Sequence, residues 1–282
     1  MSRIRECFTS RFDEGVIMEA DFSQLEVVGL AILSGDEALK QDIVEGTDFH
    51  LQTGAWLTGT TYAELKKSYD KGDKGAAAIR QSAKEPNFLN QYGGGVKLMA
   101  KNTGIPVHKC QQFLDAYKDK YRGVIAYQEA IKEEIEGNLL ATSKKTERGF
   151  PTHNGLHVSP TGRRYVFNQY DGRDIGAVSF SPTQMKNFPV QGFSTGDIVP
   201  EVLGRVYREL QSSMLYGNIL LVGTVHDSIV ADVKKGFVYR ASDMFISIME
   251  NAPSYMEERY GIKIDVPLKA DVKYGKTWAE CK

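Results

Sequence analysis

Stretches with strand character lie near both ends of this chain and helical periodicity fills most of the distance between them. Any sheet it builds is therefore assembled from pieces remote in sequence. Gly15 to Phe22 (GVIMEADF) reads as a short buried strand that runs into an acidic residue. Far downstream, Ile219 to Val225 and Ser228 to Val233 are two β-rich runs separated only by His226 and Asp227, a sharp hairpin signal, and Val266 to Val272 reads as a last strand. Helical pattern covers Ser23 to Leu39, interrupted at Ser34-Gly35-Asp36, then 62–101, then Lys109 to Glu136 with a break near Tyr121-Arg122-Gly123, then about Gly196 to Met214 and 239–259. The segment 137–183 is rich in Gly, Ser, Thr, Asn and Pro and reads as loops and hairpins, with Arg164 to Phe167 strand-like. The expected class is α+β.

Composition narrows the range of functions only a little. With 282 residues, 35 Lys+Arg against 36 Asp+Glu and 41% hydrophobic residues, the chain is that of a globular protein with room for two domains. A formal net charge of -1 excludes a uniformly basic protein but not local patches. One such patch is 61–110, with nine Lys/Arg against four Asp/Glu. No apolar run is long enough to cross a membrane, and the first residues, MSRIRECFTSRF, lack the apolar stretch of a signal peptide. Cys7, Cys110 and Cys281 are odd in number and far apart, which fits a reducing compartment, so a cytoplasmic protein is expected.

Two constellations carry chemistry. Asp21 closes the first strand and Asp227 sits at the apex of the hairpin. An Asp at a strand end commonly caps a helix or forms a turn. If the two strands are neighbours, however, the carboxylates repel and call for cations, and a pair of Mg²⁺ ions is the usual device for in-line phosphoryl transfer. The second constellation is Arg80, Lys84, Phe88 and Tyr92, spaced four apart. On an α-helix each such step turns only about 40°, so the set forms a stripe of two cations and two rings. That stripe suits a nucleoside triphosphate, with charge for the phosphates and rings for sugar and base. It also describes a solvated cationic edge beside core aromatics.

These residues carry a resemblance. Asp21-Phe-Ser-Gln-Leu-Glu26 resembles the first catalytic motif of the family A DNA polymerases, Arg80-x-x-x-Lys84-x-x-Asn87-Phe88-x-x-x-Tyr92-Gly93 is similar to their nucleotide-binding fingers helix, and Val225-His226-Asp227 to their third motif. Weaker matches follow the same order: Asp48-Phe49-His50, Gly162-Arg163-Arg164, Asn187-Phe-Pro-Val-Gln191-Gly192, and Val266-Pro267-Leu268 to Trp278. The resemblance implies a right-hand polymerase fold, with a palm built from 1–34 and 184–282 around an antiparallel sheet and helical fingers over 35–183. It implies that Asp21, Asp227 and the Phe22 carbonyl bind two Mg²⁺ ions. Arg80, Lys84 and His50 would grip the triphosphate, with Lys84 also supplying a proton to pyrophosphate. Glu26 would be the steric gate against ribonucleotides, Phe88 would pack on the sugar, and Tyr92 would close the insertion site. Gln24, counted with the nucleotide-binding residues, would lie near the duplex or the metal loop. Asn187, Gln191, His226, Arg163 and Arg164 would contact the DNA. The implied activity is template-directed addition of dNMP from dNTP to a primer 3′-hydroxyl, in replication or repair.

Several positions depart from that family's pattern. Val27, Gln81 and Thr183 stand where an arginine is common, and Ser228 stands where a Glu often follows the catalytic Asp. A His-Asp-Ser ending is also reminiscent of single-subunit phage RNA polymerases, although Glu26 argues against admitting a 2′-hydroxyl. A non-catalytic DNA-binding subunit is the other alternative. Pro86 predicts a kink or an opened turn between Lys84 and Phe88. With Asp21 so near the first residue, the thumb and an exonuclease-like domain are expected on a separate N-terminal chain, as in a phage-type, split polymerase.

Overall fold

The strand Val16–Ser23 lies inside a four-stranded antiparallel sheet, between Ser228–Val233 on one side and Lys269–Gly275 on the other. Ile219–Val225 forms the edge beyond Ser228–Val233 and pairs with it as a hairpin. All six residues of Ser228–Val233 are buried, which suits a run of β-branched and apolar side chains in an inner strand. Its one acid within that run, Asp232, is satisfied by the Ser10 hydroxyl at 2.5 Å and the Arg11 N–H at 2.9 Å.

These strands belong to one of two compact units in the computed structural model. That unit joins Met1–Gly29 to Gln191–Lys282, and the other is Leu30–Val190. The structure describes residues 3–91, 93–172 and 177–281. In the sheet unit, Val238–Glu250 packs on Val16–Ser23 and Lys269–Gly275, burying Ala241, Phe245 and Met249, one residue per turn. Val199–Ser212 packs beside it and buries Val199, Val202, Val206 and Leu210 at helical spacing. These helices leave Met18, Ala20 and Phe22 buried on alternate positions of the central strand, with Glu19 and Asp21 on its other face. Gly29 permits a close crossing here, since a Cβ on it would lie 2.1 Å from the Ser194 hydroxyl oxygen, and that hydroxyl donates to the Leu25 carbonyl at 3.3 Å.

The helical unit takes in Glu37–Val44, Phe49–Thr58, Tyr62–Asp70, Lys74–Ser82, Lys84–Gln91, Val96–Thr103, Val107–Lys120 and Arg122–Gly137. Acids that begin them are caps: the Asp36, Asp48 and Asp73 side chains accept backbone N–H groups, and Thr61 with Glu64 forms a capping box. Leu51, Ala55, Leu65 and Ala76 form one core cluster, and Leu57, Ala83, Met99, Cys110 and Phe113 another. A three-stranded antiparallel sheet follows, made of Leu139–Lys145, Pro151–Val158 and Arg164–Asn168.

The α+β expectation holds, and so do the breaks at Gly35 and Tyr121. Four local readings need correction. The last strand is Lys269–Gly275 rather than Val266 to Val272, because Val266 and Leu268 are buried as an approach to the strand, not paired within it. The helix expected at 239–259 is two helices, Val238–Glu250 and Ala252–Tyr260, divided at Asn251 just before Pro253. The helix expected from Gly196 is preceded by Pro182–Gln191 and a π-helical stretch, Gly192–Ile198, that runs into Val199–Ser212. Finally, Pro86 opens no turn between Lys84 and Phe88. The break falls earlier, at Ala83, and Pro86 occupies the first turn of Lys84–Gln91. There its missing N–H has no intrahelical partner to lose, and leaving the preceding helix at Ala83 avoids the clash with the Ser82 carbonyl. Among the described residues no helix is long and apolar enough to cross a membrane.

Candidate active site

Antiparallel pairing brings the two acids together. Asp21 faces Ser228 across the sheet, so Asp227, one residue earlier in the turn, arrives beside Asp21. The Phe22 N–H donates to the Asp227 carbonyl at 3.4 Å. The turn has only two residues, since Val225 pairs with Ser228, and His226 accepts φ +56° to make it. The expected convergence of Asp21 and Asp227 is therefore what the register produces, and Asp227 stands close enough to raise the pKa of Asp21.

The pair forms part of a cleft of about 700 Å³ whose lining includes Arg5, Glu19, Gln24, Asp271 and Lys273. Asp21 still meets solvent there, yet the walls withdraw part of its hydration. Its pKa rises to about 6, through that partial burial first, then through repulsion from Asp227 and the hydrogen bond they share, and then through Glu19, with Lys273 opposing. Among the described residues no three His, Cys, Asp or Glu side chains group as a complete metal cage. The donor set fits Mg²⁺ nonetheless, because that ion is held by one or two carboxylates plus substrate phosphates and water. A carboxylate whose ionised form is destabilised, as Asp21 is, with a second carboxyl beside it, is the partner such an ion needs. Phe22 is buried in the cleft wall. Gln24 takes φ +56° and its carbonyl accepts the N–H groups of Val27 and Val28, starting the helix Leu25–Ser34 whose first turn bears half-buried Glu26.

A second cluster lies in the helical unit. His50 is in the first turn of Phe49–Thr58, capped by Asp48, whose carboxylate accepts the His50 and Leu51 N–H groups at 3.0 Å. The other oxygen of Asp48 takes the Arg80 Nε at 2.6 Å. The Asn87 side-chain amide is 3.3 Å from His50 Nδ1, and the His50 and Phe88 rings are 5.7 Å apart. Partial burial lowers the His50 pKa, the charges of Arg80 and Lys84 lower it further, and Asp48 opposes them. The imidazole is thus held neutral near pH 7 with cations beside it. His50, Arg80, Lys84 and Phe88 form one cluster, but the expected single-helix stripe is not formed, since Arg80 stands on one helix and Lys84 and Phe88 on the next. Tyr92 lies outside the described residues.

Asn187 and Gln191 are on one helix, Pro182–Gln191, both half-buried. His226 is exposed at the hairpin apex, and Arg163 and Arg164 are exposed where the chain enters the strand Arg164–Asn168. Three residues with parts in these clusters did not figure among the expected site residues. Asp48 and Asn87 lay inside the quoted motifs, and their types alone suggest capping. Glu19 was marked by its two-residue spacing from Asp21, which puts both on one face of the strand.

Residues 1–280 match the model of DNA polymerase family A. The chain is 27% identical over 280 residues to DNA polymerase I of Bacillus subtilis (strain 168), covering 99% of this chain and 28% of that protein. It is 28% identical over 281 residues to the thermostable DNA polymerase I of Thermus filiformis, covering 99% of this chain and 29% of that one. Thus it spans less than a third of the length of these curated relatives. In fold it resembles the polymerase domain of Pol1 from M. smegmatis, solved with DNA primer-template and dNTP, with a TM-score of 0.69, 22% identity, and coverage of 99% of this chain and 42% of that one.

Proposed function

Since this chain belongs to DNA polymerase family A, we propose that it carries out template-directed DNA synthesis, joining dNMP from dNTP to a primer 3′-hydroxyl, with primer-template DNA and dNTP as its partners. One observation carries the reading: Asp21 on the central strand and Asp227 in the turn just before the neighbouring strand, remote in sequence, come together. In this reading the sheet unit is the palm and the helical unit the fingers. The palm is then Met1–Gly29 with Gln191–Lys282 and the fingers Leu30–Val190, each boundary within a few residues of the expected 1–34, 184–282 and 35–183.

Asp21, Asp227 and the Phe22 carbonyl would hold two Mg²⁺ ions, which when bound neutralise the triphosphate and ease ionisation of the 3′-hydroxyl. The chain's own groups do the rest. Arg80 and Lys84 bind the triphosphate, Arg80 being oriented by Asp48 at its Nε. Neutral His50 donates a hydrogen bond to the same phosphates, and Lys84 protonates the departing pyrophosphate. Phe88 packs on the sugar, and Glu26 crowds the 2′ position and so rejects ribonucleotides. Gln24 orders the loop at the cleft, Tyr92 closes the insertion site, and Asn187, Gln191, His226, Arg163 and Arg164 hold the duplex. Catalysis is mainly positioning and charge neutralisation. The setting is DNA replication or repair in the cytoplasm.

Primer extension on a labelled primer-template tests this, run with the chain alone and with whatever separate N-terminal polymerase chain co-purifies with it. Asp227→Asn should lower extension by on the order of 10³-fold or more with the melting curve retained. Wild-type extension by that variant would overturn the reading.

A further inference from the structure

Glu19 lies two residues before Asp21 on the central strand, on the same face, and lines the same cleft. Its carboxylate gathers donors from three separate segments. The Ser228 hydroxyl is 3.1 Å from Oε1, and the Trp278 Nε1 and an Arg5 guanidinium nitrogen are 3.0 and 3.4 Å from Oε2. Arg5 in turn covers the Trp278 ring at 4.2 Å. The Glu19 side chain is 12% exposed, so this charge is largely withdrawn from water and needs those partners.

Ser228 connects this acid to the proposed metal pair. It is buried, follows Asp227 directly, and pairs with Asp21 across the sheet. Its single hydroxyl proton lies between Glu19 Oε1 and the Val225 carbonyl, the latter 3.0 Å away at the other end of the two-residue turn. The hydroxyl thus ties the Glu19 carboxylate to both ends of the two-residue turn, Ser228 and the Val225 carbonyl, at its base. A residue serving only to pin the chain ends would need Trp278 and Arg5 but not Ser228.

Resting on the polymerase reading above, we propose that Glu19 is a positioning residue for the metal-binding pair. Acting through Ser228, it aims Asp227 at Asp21.

Mn²⁺ binding to the metal-free chain, followed by electron paramagnetic resonance without DNA or dNTP, tests this apart from activity. Glu19→Gln is close to isosteric and should weaken Mn²⁺ binding about 10–100-fold. Ser228→Ala cuts only the link to the turn and should produce a loss of similar size. Trp278→Phe removes the other strong donor to Glu19; it should lower the melting temperature and leave Mn²⁺ affinity within a few-fold. Wild-type affinity in Ser228→Ala, or a loss in Trp278→Phe as large as in Glu19→Gln, would overturn the inference. Asp227→Asn separates the two claims. If it abolishes Mn²⁺ binding while Glu19→Gln and Ser228→Ala keep it, only this inference fails. If it too binds Mn²⁺ normally, the metal-site reading beneath fails with it.

Discussion

At the scale of single residues, Asp21 holds a charge that its partial burial and the neighbouring Asp227 disfavour. Its pKa of about 6 in the fold lies above the ordinary 3.8, so its contribution to stability is fully present below the unfolded value and is lost as pH rises through 6. At pH 7.5 without divalent metal, ionised Asp21 therefore opposes folding. Because the side chain still meets solvent, the effect is discounted to about 1 kcal/mol. Asp21→Asn should raise the melting temperature in chelator at pH 7.5 by about 2–4 °C, and the gain should vanish towards pH 4. Added Mg²⁺ should then stabilise the native chain and not the variant. Thermal melts across that pH range decide it, and a lower melting temperature for Asp21→Asn at pH 7.5 would contradict the electrostatic account.

Asp48 acts at the scale of elements, since one carboxylate both starts the Phe49–Thr58 helix and fixes Arg80 from Lys74–Ser82. Burial alone would raise its pKa, but the bonds from Arg80, Leu51 and His50 outweigh that and lower it. A lowered pKa gives stability that is complete above the ordinary carboxylate range and is lost as pH falls through the folded value. Asp48→Ala should cost about 1–3 kcal/mol at pH 7, measured by urea unfolding, with the penalty shrinking in acid. It should also raise the KM for dNTP through a loosened Arg80. An unchanged KM would mean that Arg80 finds its place without Asp48. The same elements show what was legible in the sequence. Hairpin residues 219–233 and the first strand were readable, because alternation and a two-residue turn are local signals, although that strand runs on to Ser23 instead of closing at Asp21. The meeting of Asp21 with Asp227 needed the register, which periodicity does not carry and the motif order supplied. Pro86 misled because its cost depends on its distance from the helix start, and Ala83, an ordinary helix former, gave no sign that the helix would end there.

For the whole molecule, a net charge of -1 means that DNA binding has to come from local patches rather than general attraction. Residues 139–168 hold five Lys/Arg against one Asp/Glu, and the strand Arg164–Asn168 presents Arg164 at its exposed start. Backbone contacts release counterions, so each one adds about 0.9 to the slope of log affinity against log salt, whatever the sequence bound. Arg163→Ala with Arg164→Ala should therefore reduce that slope by about 2 for primer-template DNA and weaken unrelated duplexes equally. Fluorescence anisotropy between 50 and 200 mM salt, roughly the range over which such contacts are most visible, measures it. The same pair of substitutions should leave Mn²⁺ binding at the Asp21–Asp227 cleft untouched, because that site is built wholly within the sheet unit and these arginines lie in the helical one. A salt slope identical to that of the native chain would remove both arginines from the DNA-binding set and shift the search to the cationic stretch at 61–110.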